Sequence, residues 1–445
     1  MTNERFEQLV QRLEPLALRS PGRYKLRVLM LALLGNAYLT TMLLLIVAVL
    51  GGLLASIMVL KALAIKLIIV VGFFLWMILK ALWVKIEPPA GTAISAREAP
   101  ELFAMINDLQ RTLDAPRFHH VLITEEFNAG VVQSPRLGIF GWPRNYLLLG
   151  LPLMHALSAE QFKAVLAHEF GHLARGHGRV SNWIYRQRLR WSRLLGILEA
   201  TESSGSFLFK PFLNWFVPYF NAYSFPLARA NEYEADATAT RLVSAHSAAQ
   251  ALTAVNVVGS YLSERYWQDI HRQADDQPQP AFAPYSGLAG GLAGQLDETA
   301  VHSWLEQALA CQTSLADTHP SLSDRLAALS APADLALPAP GAAADHLLGS
   351  RRESIAASFD RRWQQNIAAA WEARYREVQD ERQNLADLDQ RRQNGEELSV
   401  KERFDYALLT ESAGKAPDAA LAQLETLYAE HRTTCWSAWR SARAA

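Results

Sequence analysis

Only two cysteines, Cys311 and Cys435, occur in the 445 residues, far apart and without C-x-x-C spacing. That leaves no disulfide framework and no cysteine metal site, and it fits a reducing compartment. An excess of either charge is also lacking. Lys and Arg number 43 against 44 Asp and Glu, a net charge of −1, which gives no footing for a nucleic-acid partner. Charge is missing altogether from residues 28–60, the largest departure from an ordinary soluble enzyme.

A helix needs ~20 apolar residues to cross a bilayer. The charge-free run is long enough, and a second run over 67–84 just reaches, with Lys80 snorkelling near its end. Together they predict a two-helix membrane hairpin over 28–86 with its turn at 57–66. A turn at Gly51-Gly52 would instead leave Lys61 and Lys66 at bilayer depth. The basic leader 1–27 and the length of the first run overshoot a cleaved signal peptide, so 1–27 reads as an amphipathic lead-in to the membrane. Arg19, Arg23, Lys25 and Arg27 precede the first span and Lys85 and Arg97 follow the second, against Lys61 and Lys66 in the turn. The bias predicts a multi-pass protein with two spans and everything beyond them on the cytoplasmic side, at the inner membrane if the source is bacterial.

Ser95 and Glu98 predict a capped helix through Leu113. Short β-type runs follow at 121–124, 128–133 and 146–150, separated by Pro135, Gly138, Gly141 and Pro143. Ser158 with Gln161 forms a capping box and Leu157 with Phe162 a hydrophobic staple, so the next helix begins there and can run to about Ala200. The aromatic stretch 206–228 contains Pro211, Pro218 and Pro226 and makes a poor membrane span. It is expected to lie at the membrane interface or to wall a cleft. Residues 277–294 read as a Pro/Gly/Ala loop and 331–344 as an Ala/Pro linker. Beyond it, an apolar stripe from Ile355 through Phe359, Trp363, Ile367, Trp371 and Tyr375 to Val378 predicts a long amphipathic helix ending near Asn394-Gly395. Residues 403–445 have helix-turn-helix character, either one tetratricopeptide-like unit with a second beginning at Trp436 or a plain terminal hairpin.

The chemistry is carried by Ala167-His168-Glu169-Phe170-Gly171-His172. Two histidines four apart on a helix share a face and can share a metal, with Glu169 beside them to work on water. A catalytic zinc wants a third protein ligand and one open position. A third histidine in the same motif is excluded, since it would need glycine at 175 and histidine at 178, where Arg175 and Gly178 stand. His177 is one place off, and the other histidines show no ligand spacing. Further on, Glu232 and Asp236 in Arg229-Ala230-Asn231-Glu232-Tyr233-Glu234-Ala235-Asp236 are four apart on one helical face. One of these carboxylates can bind the metal while the other accepts the N–H of a ligand histidine.

The two motifs together resemble the HtpX-like and CaaX prenyl protease family of membrane-bound zinc metalloendopeptidases, of the gluzincin type. His319-Pro320-Ser321 followed by Arg325 is a third point of similarity. The resemblance implies one zinc per chain on His168, His172 and Glu232, with Glu169 as general base and Asp236 orienting a ligand histidine, His168. It also implies that His319 stabilises the oxyanion, that Arg325 holds His319 or the substrate, and that Asn128-Ala129 opens a substrate-binding edge strand. It covers about 93–329. Multi-span cages and helices between the two metal motifs, found in other members, have no evident counterpart here, which argues against prenylated-peptide processing.

The expected architecture is therefore mainly α with a small β-sheet: a transmembrane hairpin, a metalloprotease domain over 93–330, the linker, and a helical region over 345–445. The expected activity is zinc-dependent hydrolysis of peptide bonds in a protein or peptide substrate, in quality control or processing at the membrane, with a protein partner for the helical tail. Two rival readings stand beside it. One is a zinc-binding but proteolytically idle membrane scaffold that recruits partners through the tail, and the other is an anchor with an unrelated helical domain and a chance motif.

Overall fold

The computed structural model describes residues 2–55, 65–69, 71–73, 76, 88–135, 143–173, 183–184, 187–188, 190–192, 194–196, 210–294, 296–313, 319–337, 341–412 and 417–430. The chain forms two compact units, one of Met1–Leu262 with Tyr285–Ser358 and the other of Ser263–Pro284 with Phe359–Ala445. It is mainly helical with one small mixed sheet.

Two helices open the first unit, α1 (Asn3–Arg19) and α2 (Pro21–Ala55). Among the described residues α2 is the one helix long and apolar enough to cross a membrane. The second apolar run and its turn lie largely outside the described residues. The apolar face of the lead-in helix packs on protein, with Val10 and Leu13 of α1 buried.

The sheet follows, with β1 (Thr92–Ile94), α3 (Pro100–Thr112), β2 (His120–Thr124), β3 (Ala129–Pro135) and β4 (Pro143–Gly150) in chain order. Its strand order is β1-β2-β4-β3, with β2 and β4 parallel and the other pairs antiparallel. Strand β1 had no signal beyond three residues. The Ser95–Glu98 pair closes a turn ahead of α3 rather than starting it, because Pro100, with no N–H to satisfy, takes the first helical turn. Gly150 ends β4 under the loop before β3. A Cβ there would lie 1.9 Å from the Glu126 carbonyl, while the Gly150 N–H donates to the Asn128 carbonyl at 2.8 Å.

A short helix α4 (Leu151–Ala156) leads into α5 (Ala159–Gly171). The reciprocal Ser158–Gln161 cap is formed, and Gln161 also donates to the Ala336 carbonyl at 2.9 Å. Helix α5 itself stops at Gly171 with His172 as its C-cap, and the expected helical character returns in the described residues 183–184, 187–188, 190–192 and 194–196. The end of α5 is crowded, as a Cβ on Gly171 would meet the Ala235 Cα at 3.3 Å. The stretch 174–182 lies outside the described residues.

From Lys210 on, the aromatic segment is the first half of one 33-residue helix, α6 (Lys210–Leu242), with Pro218 and Pro226 inside it. Its aromatic face packs along α2. The Tyr38 and Phe212 rings stack at 3.7 Å, Tyr24 donates to the Tyr223 carbonyl at 2.8 Å, and Phe216 lies so close to Gly35 that a Cβ there would come within 2.4 Å of it. Burial against a partner helix keeps the proline-containing segment helical where sequence preference alone argues against it.

Helix α7 (Ala245–Tyr261) covers α5, and α8 (Trp267–Arg272) belongs to the second unit. The expected loop over 277–294 contains a helix, α9 (Pro284–Gly294), held by buried Tyr285 and Leu288. Then come α10 (Glu298–Ala310), α11 (Leu322–Leu329) and α12 (Ala343–Leu348). Ala336, between α11 and α12, and Ala343, which opens α12, both lie on the start of α5: the Ala336 carbonyl accepts from Gln161 and the Ala343 N–H donates to the Leu157 carbonyl at 2.7 Å.

Helix α13 (Arg351–Gln393) starts in the first unit and continues into the second, with Phe359, Trp371 and Val378 of its stripe buried. The tail pairs α14 (Val400–Ser412) with α15 (Pro417–Glu430) through Phe404, Leu408, Leu424 and Leu427. The second repeat expected at Trp436 lies outside the described residues.

Candidate active site

Four elements meet at the site: α5, α6, α11 and the loop leading to α11. Helix α5 brings His168 and His172 to one face, and α6 crosses it to bring Glu232 and Asp236. The Nε2 atoms of His168 and His172 lie 3.2 Å apart, and each is 3.5 Å from an oxygen of Glu232. Among the described residues, these three form a group whose ligand atoms all fall within 4.8 Å of one another. Two imidazoles and a carboxylate converging so closely leave room for one shared ion, and the set matches a catalytic zinc site with a fourth position open.

The surroundings fix the ligands. Asp236 accepts from His168 Nδ1 at 2.8 Å, so His168 turns its Nε2 lone pair toward His172 and Glu232. Arg325, expected on His319 or the substrate, instead donates to both oxygens of Asp236, from Nε at 2.8 Å and from Nη2 at 2.6 Å. This bidentate pair occupies the rest of the carboxylate and locks it in place. His319, at the loop before α11, sets Nδ1 at 2.8 Å from Glu232, with its side chain 70% exposed.

The protonation preferences follow from these contacts. Burial and the neighbouring His168 push His172 down to about 4, keeping it neutral. Burial opposes charge on His168 too, but hydrogen bonds with Asp236 and Glu232 outweigh it and hold its pKa at about 9 without an ion. Burial would raise Glu232, yet His168 and His319 hold it well below the usual carboxylate range, so it stays ionised. Burial raises Glu169, against the pull of His168, His319 and Arg325. A raised carboxylate is a stronger base than an ordinary one.

Glu169, His168, Asp236, His319 and Arg325 share a cleft of about 170 Å³ with Asn128 and Ala129. Asn128 caps the start of β3 by accepting from the Ala129 N–H at 2.9 Å, and β3 is the edge strand beside the cleft. The apolar lining of the cleft carries no motif and was not legible in the sequence: it comes from Leu153, Val165, Leu252 and Val255, with Asn256 as a polar neighbour.

Residues 97–333 match the sequence profile of peptidase family M48, just over half of the chain and all of this site. The chain belongs to peptidase family M48. The family comprises zinc metallopeptidases, so this M48 chain is a metallopeptidase acting on protein or peptide substrates. Comparison with curated proteins and with solved structures returned no match.

Proposed function

We propose that this M48 chain is a membrane-anchored zinc endopeptidase of the HtpX-like kind. The convergence of His168, His172 and Glu232, with the buried carboxylate of Glu169 beside it, carries the reading. Zinc held there supplies Lewis acidity to water and to the scissile carbonyl. Glu169 takes the proton of the attacking water and delivers it to the leaving amine. His319, anchored through Nδ1 and favoured in its charged form by Glu232, offers Nε2 to the carbonyl oxygen as that oxygen gains charge. Asp236 keeps His168 in the ligand tautomer, and Arg325 keeps Asp236 in place.

Strand β3 supports binding of an extended substrate as an added strand, starting at Asn128-Ala129. The apolar wall of Leu153, Val165, Leu252 and Val255 favours an aliphatic side chain next to the scissile bond. Digestion of a mixed peptide library by the detergent-solubilised protein is expected to yield internal cuts flanked on one side by Leu, Ile, Met or Phe. A chelator should stop the cuts and zinc restore them. Trimming from the ends only, or cleavage indifferent to chelation, would overturn the reading.

The anchor is α2, with Leu33, Leu44 and Leu45 exposed on it. Gly35 lies eight residues past Arg27, about 12 Å along the helix. Phe216 packs against it, so the aromatic half of α6 shares the depth of α2 and sits with it in the membrane, while the cleft lies close to the cytoplasmic face. The helical tail, with the tetratricopeptide-like pair of α14 and α15, is a site for a protein partner.

A further inference from the structure

The same helix that carries Glu232 is gripped from behind by the N-terminal helix. Phe225, Arg229, Glu232 and Asp236 follow one another at spacings of four, three and four, which puts them in one stripe along α6. The C-terminal half of the stripe faces the site. The N-terminal half is covered by α1: Phe6 meets the Phe225 ring edge-on at 5.9 Å, Val10 is wholly buried with Ala222 and Phe225, and Glu14 pairs with Arg229. The Arg229 guanidinium also lies 5.0 Å from the centre of the Phe225 ring.

This contact falls beside a break in α6. Pro226 has no N–H to give the Ala222 carbonyl, so the ladder of α6 is broken one turn before Arg229 and two before Glu232. A helix interrupted there needs an outside support to hold the register of the next turns. Residues of α1 that face α6 are apolar or paired, whereas Glu4, Arg5, Glu7, Arg12 and Arg19 point to solvent with both signs of charge. The helix is thus built to bind α6 rather than an acidic lipid surface.

We propose that α1 is a clasp on the metal-binding helix, and that the Glu14–Arg229 pair positions Glu232 across the Pro226 break. The proposal rests on the reading of Glu232 as a metal ligand. Both residues are positioning residues, since neither belongs to the converging set of His168, His172 and Glu232.

The test uses the full-length protein in detergent, with zinc affinity measured by competition with a chromogenic chelator and kcat and KM measured on one cleavable peptide. Glu14→Arg and Arg229→Glu are each expected to weaken zinc binding about tenfold, the size of effect that coupled neighbours show. They should lower kcat at limiting zinc and leave KM unchanged. The double exchange Glu14→Arg with Arg229→Glu is expected to restore zinc affinity to within about twofold of the parent, which shows that the two residues act as a pair. Glu14→Gln, which removes charge without reversing it, serves where a reversal does not fold and is expected to weaken binding about threefold. Glu232→Gln separates the two claims. If it loses zinc while the clasp variants keep parental affinity, or the exchange fails to rescue, the clasp is wrong; if Glu232→Gln keeps zinc, the ligand reading itself is wrong.

Discussion

Replacing Glu169 by Gln is expected to reduce peptide hydrolysis by about 10²–10⁴-fold, the range removed with a general base, while the protein keeps its zinc. The amide is nearly isosteric, so the cleft should keep its shape. It cannot take a proton from water, however, and so the step that Glu169 serves is lost. Zinc retention follows from the geometry, because the three atoms that converge belong to His168, His172 and Glu232, and Glu169 is not among them. Metal content and turnover measured on the same preparation check this. Zinc lost together with activity would move Glu169 into the ligand set, and activity retained would remove it from the chemistry.

Asp236→Asn is expected to weaken zinc binding by about 10–100-fold, as removal of a partner behind a ligand histidine does. Asp236 is 3% exposed and accepts three hydrogen bonds, one from His168 and two from Arg325. An amide has only one accepting oxygen, so its NH2 must face a donor, either the guanidinium or His168 Nδ1. In the first case a buried cation loses its partner, and in the second the histidine is turned toward the wrong tautomer. Zinc titration should therefore show lowered affinity, with most of the activity recovered at saturating metal because Glu169 and the ligands remain. Unchanged affinity would mean that His168 is oriented by something other than Asp236.

The site was legible in the sequence to the extent that it depends on helical periodicity. His168 with His172, and Glu232 with Asp236, sit at i, i+4, a spacing that fixes a shared face before any tertiary contact is known. The capping box at Ser158 was equally local and is formed as written. What was not legible depends on contacts between distant segments. Arg325 reaches Asp236 across 89 residues of sequence, and nothing near it indicates that choice. The apolar wall from α7 has no motif because Leu252 and Val255 look like any core residues. That the aromatic segment forms a long helix was not legible for a related reason: Pro218 and Pro226 weigh against helix locally, and the packing of Phe212 and Phe216 on α2, which compensates, is a tertiary effect. The amphipathic pattern of the leader was legible but its packing partner was not, since the apolar face of α1 could equally meet lipid or protein.

The most direct test of the account is anomalous diffraction at the zinc edge from crystals of the zinc-replete, full-length protein. A single peak per chain is expected within bonding distance of His168 Nε2, His172 Nε2 and an oxygen of Glu232. No peak, or a peak held by other side chains, would contradict it.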